Sequence, residues 1–209
     1  MKSVHLTQAD LSAIVLAGGL SSRMGQDKAL LPIANVPLLR RTCETALDCA
    51  AQVFVVTPWV DRYQPILPSS CHLVAEQPLP GGSLPHGPLI GFAQGLAQIP
   101  TDWVLLLACD LPRLNSVTLQ AWATQVNPTE STIAWLPQSD KGWEPLCGFY
   151  RASCLSSLTA AIERGERSFQ RWLVTQPVQA LAIADSSLLL NCNTPADLLL
   201  IERQGSEIE

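Results

Sequence analysis

Apolar residues along the chain come in two rhythms, and the rhythms alternate. Short continuous runs, Ala13-Ile14-Val15, Val53-Phe54-Val55-Val56 and Trp103 to Ala108, read as strands buried on both faces. Leu73-Val74-Ala75 is a shorter strand of the same kind, and Thr132 to Leu136, Leu146 to Tyr150 and Val178 to Ala184 continue the series. Between them lie segments with helical spacing. From Leu38 to Ala51 the apolar positions are 38, 39, 43, 46, 47 and 50, and further helices are predicted for Leu89 to Gln98, Ser116 to Gln125 and Leu155 to Arg164, the last stopped by Gly165. A final helix is predicted to start with Thr194 as N-cap, Pro195 at its first position and Asp197 at its third. Pro78 to Pro88, with four prolines and three glycines, is too rich in breakers for regular structure and reads as a functional loop. Alternating strands and helices predict a three-layer, Rossmann-like α/β fold with a largely parallel sheet.

In such sheets ligands sit beyond the carboxyl ends of the strands. Three features fall there: the glycine loop from Gly18, the loop containing Glu76, and Asp110. The first is the most informative. Behind its strand the chain reads LAGGLSSRMGQDKALL from Leu16 to Leu31, with Gly18, Gly19 and Gly25 interleaved with Arg23 and Lys28. Glycines let backbone N–H groups approach a polyphosphate, and the two cations add fixed charge. The pattern is not a Walker A loop, because Gln26 and Asp27 separate Gly25 from Lys28 and Ala29 follows the lysine; nor is it G-x-G-x-x-G, because Gly18 and Gly19 are adjacent.

Asp110, just past a buried strand and before Leu111-Pro112, suits Mg²⁺, which takes one or two carboxylates and completes its shell with phosphates and water. Arg23 and Lys28 are read as fixed cations facing phosphate. Asp27 either orients Lys28 or caps a helix beginning there. Arg164, Arg167 and Arg171 share one helical face only if the helix runs through Gly165. His86 lies in the glycine-proline loop, and the six tryptophans are read as core, with Trp143 left open.

Composition narrows the class. A chain of 209 residues, 47% hydrophobic, predicts one domain over 1–209 with a proper core. A net charge of -5 argues against general nucleic-acid binding. Seven cysteines without a C-x-x-C pair fit a reducing compartment and speak against zinc. The start MKSVHLTQAD lacks the apolar stretch of a signal peptide, and no run reaches membrane-spanning length, so a cytoplasmic protein without membrane contact is expected.

The pattern LAGG-x-S-x-R-M-G-x-D-K-A-L closely resembles the molybdenum cofactor guanylyltransferases, as do Gly87-Pro88-Leu89-Ile90-Gly91, Cys109-Asp110-Leu111-Pro112, Glu144-Pro145-Leu146, Gly165-Glu166-Arg167 and Asn191-Cys192-Asn193-Thr194-Pro195 in order. The resemblance implies transfer of GMP from GTP to the phosphate of molybdopterin, with release of pyrophosphate. It implies Mg²⁺ on Asp110, and a catalytic set of Arg23, Lys28 and Asp110. GTP is expected against Leu16, Ala17, Gly18, Gly19, Arg23, Lys28, Thr57, Glu76, Gln77 and Asp110. The family places an asparagine and a Glu-Asp pair where Thr57 and Glu76-Gln77 stand. Molybdopterin is expected in the C-terminal half against Glu144, Arg167, Asn191 and Asn193, and transient contact with molybdoenzymes or their chaperones is implied. Gly18-Gly19 favours guanylyl over cytidylyl transfer, whose enzymes tend to carry Ala-Gly there. The alternatives are a CTP-dependent molybdopterin cytidylyltransferase or another sugar-phosphate-type nucleotidyltransferase, and, in a different class, a non-catalytic nucleotide-binding module.

Overall fold

The computed structural model describes residues 5–19, 27–79, 85–127, 131–192 and 197. Its strands are β1 (Leu11–Leu16), β2 (Pro32–Ile33), β3 (Val36–Pro37), β4 (Gln52–Thr57), β5 (Cys71–Ala75), β6 (Trp103–Ala108), β7 (Ala134–Leu136), β8 (Gln138–Ser139), β9 (Gly142–Trp143), β10 (Cys147–Arg151) and β11 (Val178–Ala180). The helices are α1 (Leu38–Leu47), α2 (Val60–Tyr63), α3 (Pro88–Leu96), α4 (Ser116–Ala123), α5 (Leu155–Glu163) and α6 (Phe169–Leu173). Seven strands form one sheet in the order β11-β7-β10-β6-β1-β4-β5. Pairings of β1 with β4 and β6, of β4 with β5 and of β11 with β7 are parallel; only β10 runs antiparallel to its neighbours β6 and β7. The expected α/β fold with a largely parallel sheet is therefore present.

Layering follows from the two-residue period of a strand. Val15, Val53, Leu105 and Leu107 face one side, where they meet Leu39, Cys43 and Ala46 of α1 and Leu119 and Trp122 of α4. Ile14, Leu16, Val56, Val104 and Leu106 face the other, against Phe92 and Leu96 of α3, Leu158 of α5 and Phe169 and Trp172 of α6. Every residue of β1 and β6 is buried, as continuous apolar runs require. Small residues let α3 lie close: a Cβ on Gly95 would stand 2.8 Å from Val56 Cγ2.

Several elements differ from their predicted extent. The first helix ends at Leu47 rather than Ala51, and the last strand stops at Ala180, where Ala182 instead exchanges hydrogen bonds with the Gln125 side chain. No α-helix begins at Lys28. A single 3₁₀ turn, Lys28–Leu30, leads into the β2–β3 hairpin, whose two turn residues, Ala34 and Asn35, both have positive φ (49° and 62°). Two-residue strands carry no readable periodicity, so the hairpin was invisible to pattern analysis, as were α2 and α6. Gly165, at φ 89°, ends α5 as expected, and that break separates the three arginines. Arg167 Nη1 caps the Ile162 carbonyl at 2.9 Å, while Arg171 pairs with Glu166 at 2.8 Å. The predicted helix from Thr194 lies outside the described residues except for Asp197.

Candidate active site

The parallel strands β1, β4, β5 and β6 all end on one edge of the sheet, at Leu16, Thr57, Ala75 and Ala108. Because β10 runs the opposite way, its beginning reaches the same edge, where the Leu146 carbonyl accepts from Ala108 N at 2.8 Å. A cavity of about 180 Å³ opens there. Its walls include Leu16, Gly18, Gly19, Lys28, Glu76 and Asp110, with Gly87, Pro88 and Gly91 of the α3 start on one side and Leu146 on another.

Lys28 and Asp110, 82 residues apart, meet at the centre. Lys28 Nζ donates to Asp110 Oδ2 at 2.6 Å, with the two side chains 18% and 12% exposed. Tertiary structure thus assembles a charge-assisted pair from the glycine loop and the end of β6. The Asp110 backbone is held too, since its carbonyl accepts from Cys192 N at 2.9 Å. Cys109 beside it is no nucleophile: burial, with the Asp110 carboxylate adjacent, pushes its thiol up to about 12.

Gly18 and Gly19 do not adopt positive φ, so conformational freedom is not what their positions demand. Space is the constraint at Gly18, where a Cβ would stand 3.2 Å from Glu76 Oε2; at Gly19 a Cβ would make only an ordinary contact, 3.8 Å from Lys28 Cε. Glu76 is buried, and its Oε1 accepts from His86 N at 3.0 Å. The His86 ring accepts in turn from Leu79 N through Nε2 at 2.8 Å, so the two sides of the proline-glycine segment are tied together. This gives His86 a structural role that no local sequence signal announced.

The remaining expected site residues separate into three groups. Leu16 lines the cavity, and Ala17 extends the strand pairing by donating to the Val56 carbonyl at 3.0 Å. Thr57 is fully buried and does not line the cavity; its hydroxyl donates to the Ala17 carbonyl at 2.9 Å and accepts from Trp59 N at 3.1 Å. Gln77 stands outside the lining as well. Gln94 grips its backbone from both sides (2.8 and 2.9 Å), and its own amide folds back onto the Ala75 carbonyl.

The C-terminal candidates are dispersed. Glu144 accepts from Ser139 Oγ at 2.7 Å, at the base of the β8–β9 hairpin and two residues before Leu146. Asn191 is exposed and directly precedes Cys192, which touches the Asp110 backbone. Arg167 is spent on the end of α5 and lies outside the cavity lining. Arg23 and Asn193 lie outside the described residues.

Beneath the lysine, Asp27 collects several donors. It accepts from Ala29 N at 3.1 Å, as an N-cap of the 3₁₀ turn, from Arg62 Nη1 at 2.9 Å, and from the Tyr63 hydroxyl, which lies 3.0 and 2.9 Å from its two oxygens. Capping was expected of Asp27; Arg62 and Tyr63 were missed, because residues about 35 positions apart leave no periodic trace.

Gly18 and Gly19 behind β1, a buried-edge cation–carboxylate pair and a helix start lining the same cavity are the parts of a phosphate-binding site in an α/β protein. The sequence matches the MobA-like NTP transferase domain over residues 13–179. The chain belongs to that family. It is 51% identical over 200 residues to the probable molybdenum cofactor guanylyltransferase of Trichormus variabilis, covering 95% of this chain and 94% of that protein. It is 46% identical over 189 residues to the protein of the same description from Synechococcus elongatus (90% and 96% covered). Among solved structures, molybdopterin-guanine dinucleotide biosynthesis protein A of Archaeoglobus fulgidus superposes with a TM-score of 0.74 at 22% identity, over 94% of this chain and 99% of that one, which speaks to the fold. No helix among the described residues is long and apolar enough to cross a membrane.

Proposed function

We propose that this protein transfers GMP from GTP to the phosphate of the molybdenum-bearing molybdopterin cofactor, forming the guanine dinucleotide form and releasing pyrophosphate. The observation that carries the chemistry is the Lys28–Asp110 pair facing Gly18 and Gly19 across one cavity. The identity of the base and the acceptor rests on the relatives, whose description is molybdenum cofactor guanylyltransferase at up to 51% identity. The same reading includes a cytoplasmic location, supported by seven cysteines with no C-x-x-C pair.

The acceptor needs little activation. A phosphate monoester has a second pKa of about 6 and is already an anionic nucleophile near neutral pH. Its oxygen attacks the α-phosphorus of GTP, a new P–O bond forms, and the bond to the bridging oxygen breaks so that pyrophosphate carries away the electron pair. Such transfers depend on positioning and electrostatics. Gly18, Gly19 and Gly87 line the cavity, and their backbone N–H groups are assigned to the phosphates; Pro88 has no N–H, and that of Gly91 is taken by the Gly87 carbonyl. Lys28 clamps the triphosphate, and Arg23 is assigned the charge that grows on the α-phosphate and the leaving group.

Asp110 suits a divalent metal, and Mg²⁺ in particular. Among the described residues no group of three His, Cys, Asp or Glu side chains converges, so a metal here would draw most of its shell from phosphates and water. That is the coordination Mg²⁺ prefers. A bound Mg²⁺ held by Asp110 would neutralise phosphate charge. Molybdopterin is assigned to Glu144, Asn191 and Asn193; Arg167, committed to capping α5, is the weakest of the four. GTP and the molybdenum-bearing pterin are the partners of this reading, with molybdoenzymes or their chaperones receiving the product.

The test is calorimetric titration of GTP, CTP and ATP with and without Mg²⁺, followed by pyrophosphate release in the presence of acceptor. Metal-strengthened preference for GTP together with release supports the proposal. Preference for CTP moves the protein to cytidylyl transfer. Nucleotide binding with no pyrophosphate release when acceptor is present reduces it to a binding module.

A further inference from the structure

The segment Thr57 to Tyr63 touches both ends of the glycine loop. At the near end, Thr57 Oγ1 donates to the Ala17 carbonyl at 2.9 Å, one residue before Gly18. At the far end, Arg62 and Tyr63 hold the Asp27 carboxylate, one residue before Lys28. The two anchor points are themselves connected: Thr57 Oγ1 accepts from Trp59 N at 3.1 Å, and the Trp59 ring carries the Arg62 guanidinium at 5.2 Å and meets the Tyr63 ring edge-on at 6.2 Å. Tyr63 is 1% exposed, so its hydroxyl has little access to water. It has one proton and two carboxylate oxygens at nearly equal distance, a shared donation that centres the carboxylate on the hydroxyl. Asp27 then fixes the Lys28 turn by accepting from Ala29 N, and Lys28 reaches Asp110 from that turn.

We infer that Thr57, Arg62 and Tyr63 are positioning residues of the phosphate site: they hold Ala17 and Asp27 at a set separation and, through Asp27, aim Lys28 at the triphosphate. This inference rests on the nucleotidyltransferase reading and adds residues that act without touching substrate. It also reassigns Thr57, expected at the nucleobase, to the frame of the loop. The physical logic is economy of reorganisation. A long lysine side chain has many rotamers, and fixing the backbone from which it springs removes part of the entropy lost when it meets phosphate. The charges around the clamp are Asp27, Arg62, Lys28 and Asp110; Tyr63 is neutral, so removing its hydroxyl changes geometry without changing charge.

The test is a double-mutant cycle between Tyr63→Phe and Lys28→Ala, read first as Mg²⁺–GTP affinity by calorimetry and then as pyrophosphate release. Phe keeps the ring and its packing against Trp59, and removes only the donor. Tyr63→Phe is expected to weaken GTP binding or turnover about tenfold, and to have almost no further effect once Lys28 is Ala, because it acts through that lysine. Additive losses, or a Tyr63→Phe protein equal to wild type, overturn the inference. A melting temperature taken on each variant shows whether a loss reflects unfolding. Should Phe destabilise the fold, Asp27→Asn replaces it in the cycle: the amide keeps an acceptor for Ala29 N while losing the ion pair with Arg62, and the same non-additivity with Lys28→Ala is required. Failure of the functional reading looks different, since wild type would then release no pyrophosphate, while the binding cycle still reports whether Tyr63 and Lys28 are coupled.

Discussion

Replacing Asp110 by Asn separates the electrostatic role of this residue from its place in the fold. The side chain keeps its size, and an amide oxygen can still accept from Lys28 Nζ, now 2.6 Å from Oδ2. What is lost is the charge. A hydrogen bond to a charged group contributes about 1.5–3 kcal/mol and one between a cation and a neutral acceptor less, so the change costs roughly 1–2 kcal/mol of stability. The pair is mostly buried, which leaves little room for solvent screening. For a domain of this size each kcal/mol shifts the melting temperature by about 2–4 °C, giving a fall of roughly 2–8 °C and a protein still folded at assay temperature. Turnover responds far more. Removing the carboxylate assigned to hold the metal that would balance phosphate charge is expected to cost on the order of 100-fold or more, equivalent to about 2.7 kcal/mol in the barrier. The assay is pyrophosphate release from GTP with acceptor across a Mg²⁺ series, paired with a thermal melt. Turnover within about threefold of wild type and unchanged metal dependence would refute the assignment. A melting temperature lowered by tens of degrees would instead make Asp110 a structural residue and undo the accounting of the pair.

Gly18→Ala places a methyl group 3.2 Å from Glu76 Oε2, and Glu76 cannot swing away without releasing His86 N; GTP affinity is expected to fall about tenfold while the melting temperature moves by no more than a few degrees, and unchanged affinity would show that the cavity wall yields. Away from the site, the Arg171 side chain, helped by the backbone N–H of Ser168, holds the Glu166 carboxyl down to about 2. A depressed carboxylate adds stability above its unfolded value, and that contribution disappears as pH falls toward about 2. Carboxyl NMR should therefore find Glu166 ionised at pH 3 and back toward 4.5 in Arg171→Ala; an unshifted wild-type titration would deny the pair any role.

Much of this architecture was legible because the signals are local. A strand buried on both faces must be a continuous apolar run, so β1, β4 and β6 stood out, and the loop behind β1 announced itself through glycines and cations packed into sixteen residues. The end-of-strand rule then put Gly18, Glu76 and Asp110 on one edge, and the structure lines one cavity with all three. Thr57 and Gln77, expected at the nucleobase from the family resemblance, stand at the same edge and yet do not line that cavity. A strand end fixes the position of a backbone, but the direction of a side chain depends on which neighbour offers it a hydrogen bond.

Sequence alone therefore determined the class of fold, the position of the glycine-rich stretch behind β1 and that of the carboxylate at the end of β6, since each is written in the spacing of neighbouring residues. Only the tertiary structure decided that Lys28 meets Asp110 across 82 residues, that Tyr63 and Arg62 grip Asp27 from a four-residue helix, and that Arg167 serves the end of α5. These are contacts between groups whose separation along the chain carries no period. They form because burying one polar group obliges the fold to supply a partner, and that partner comes from whichever segment the packing of the sheet and its helices has brought within hydrogen-bond reach.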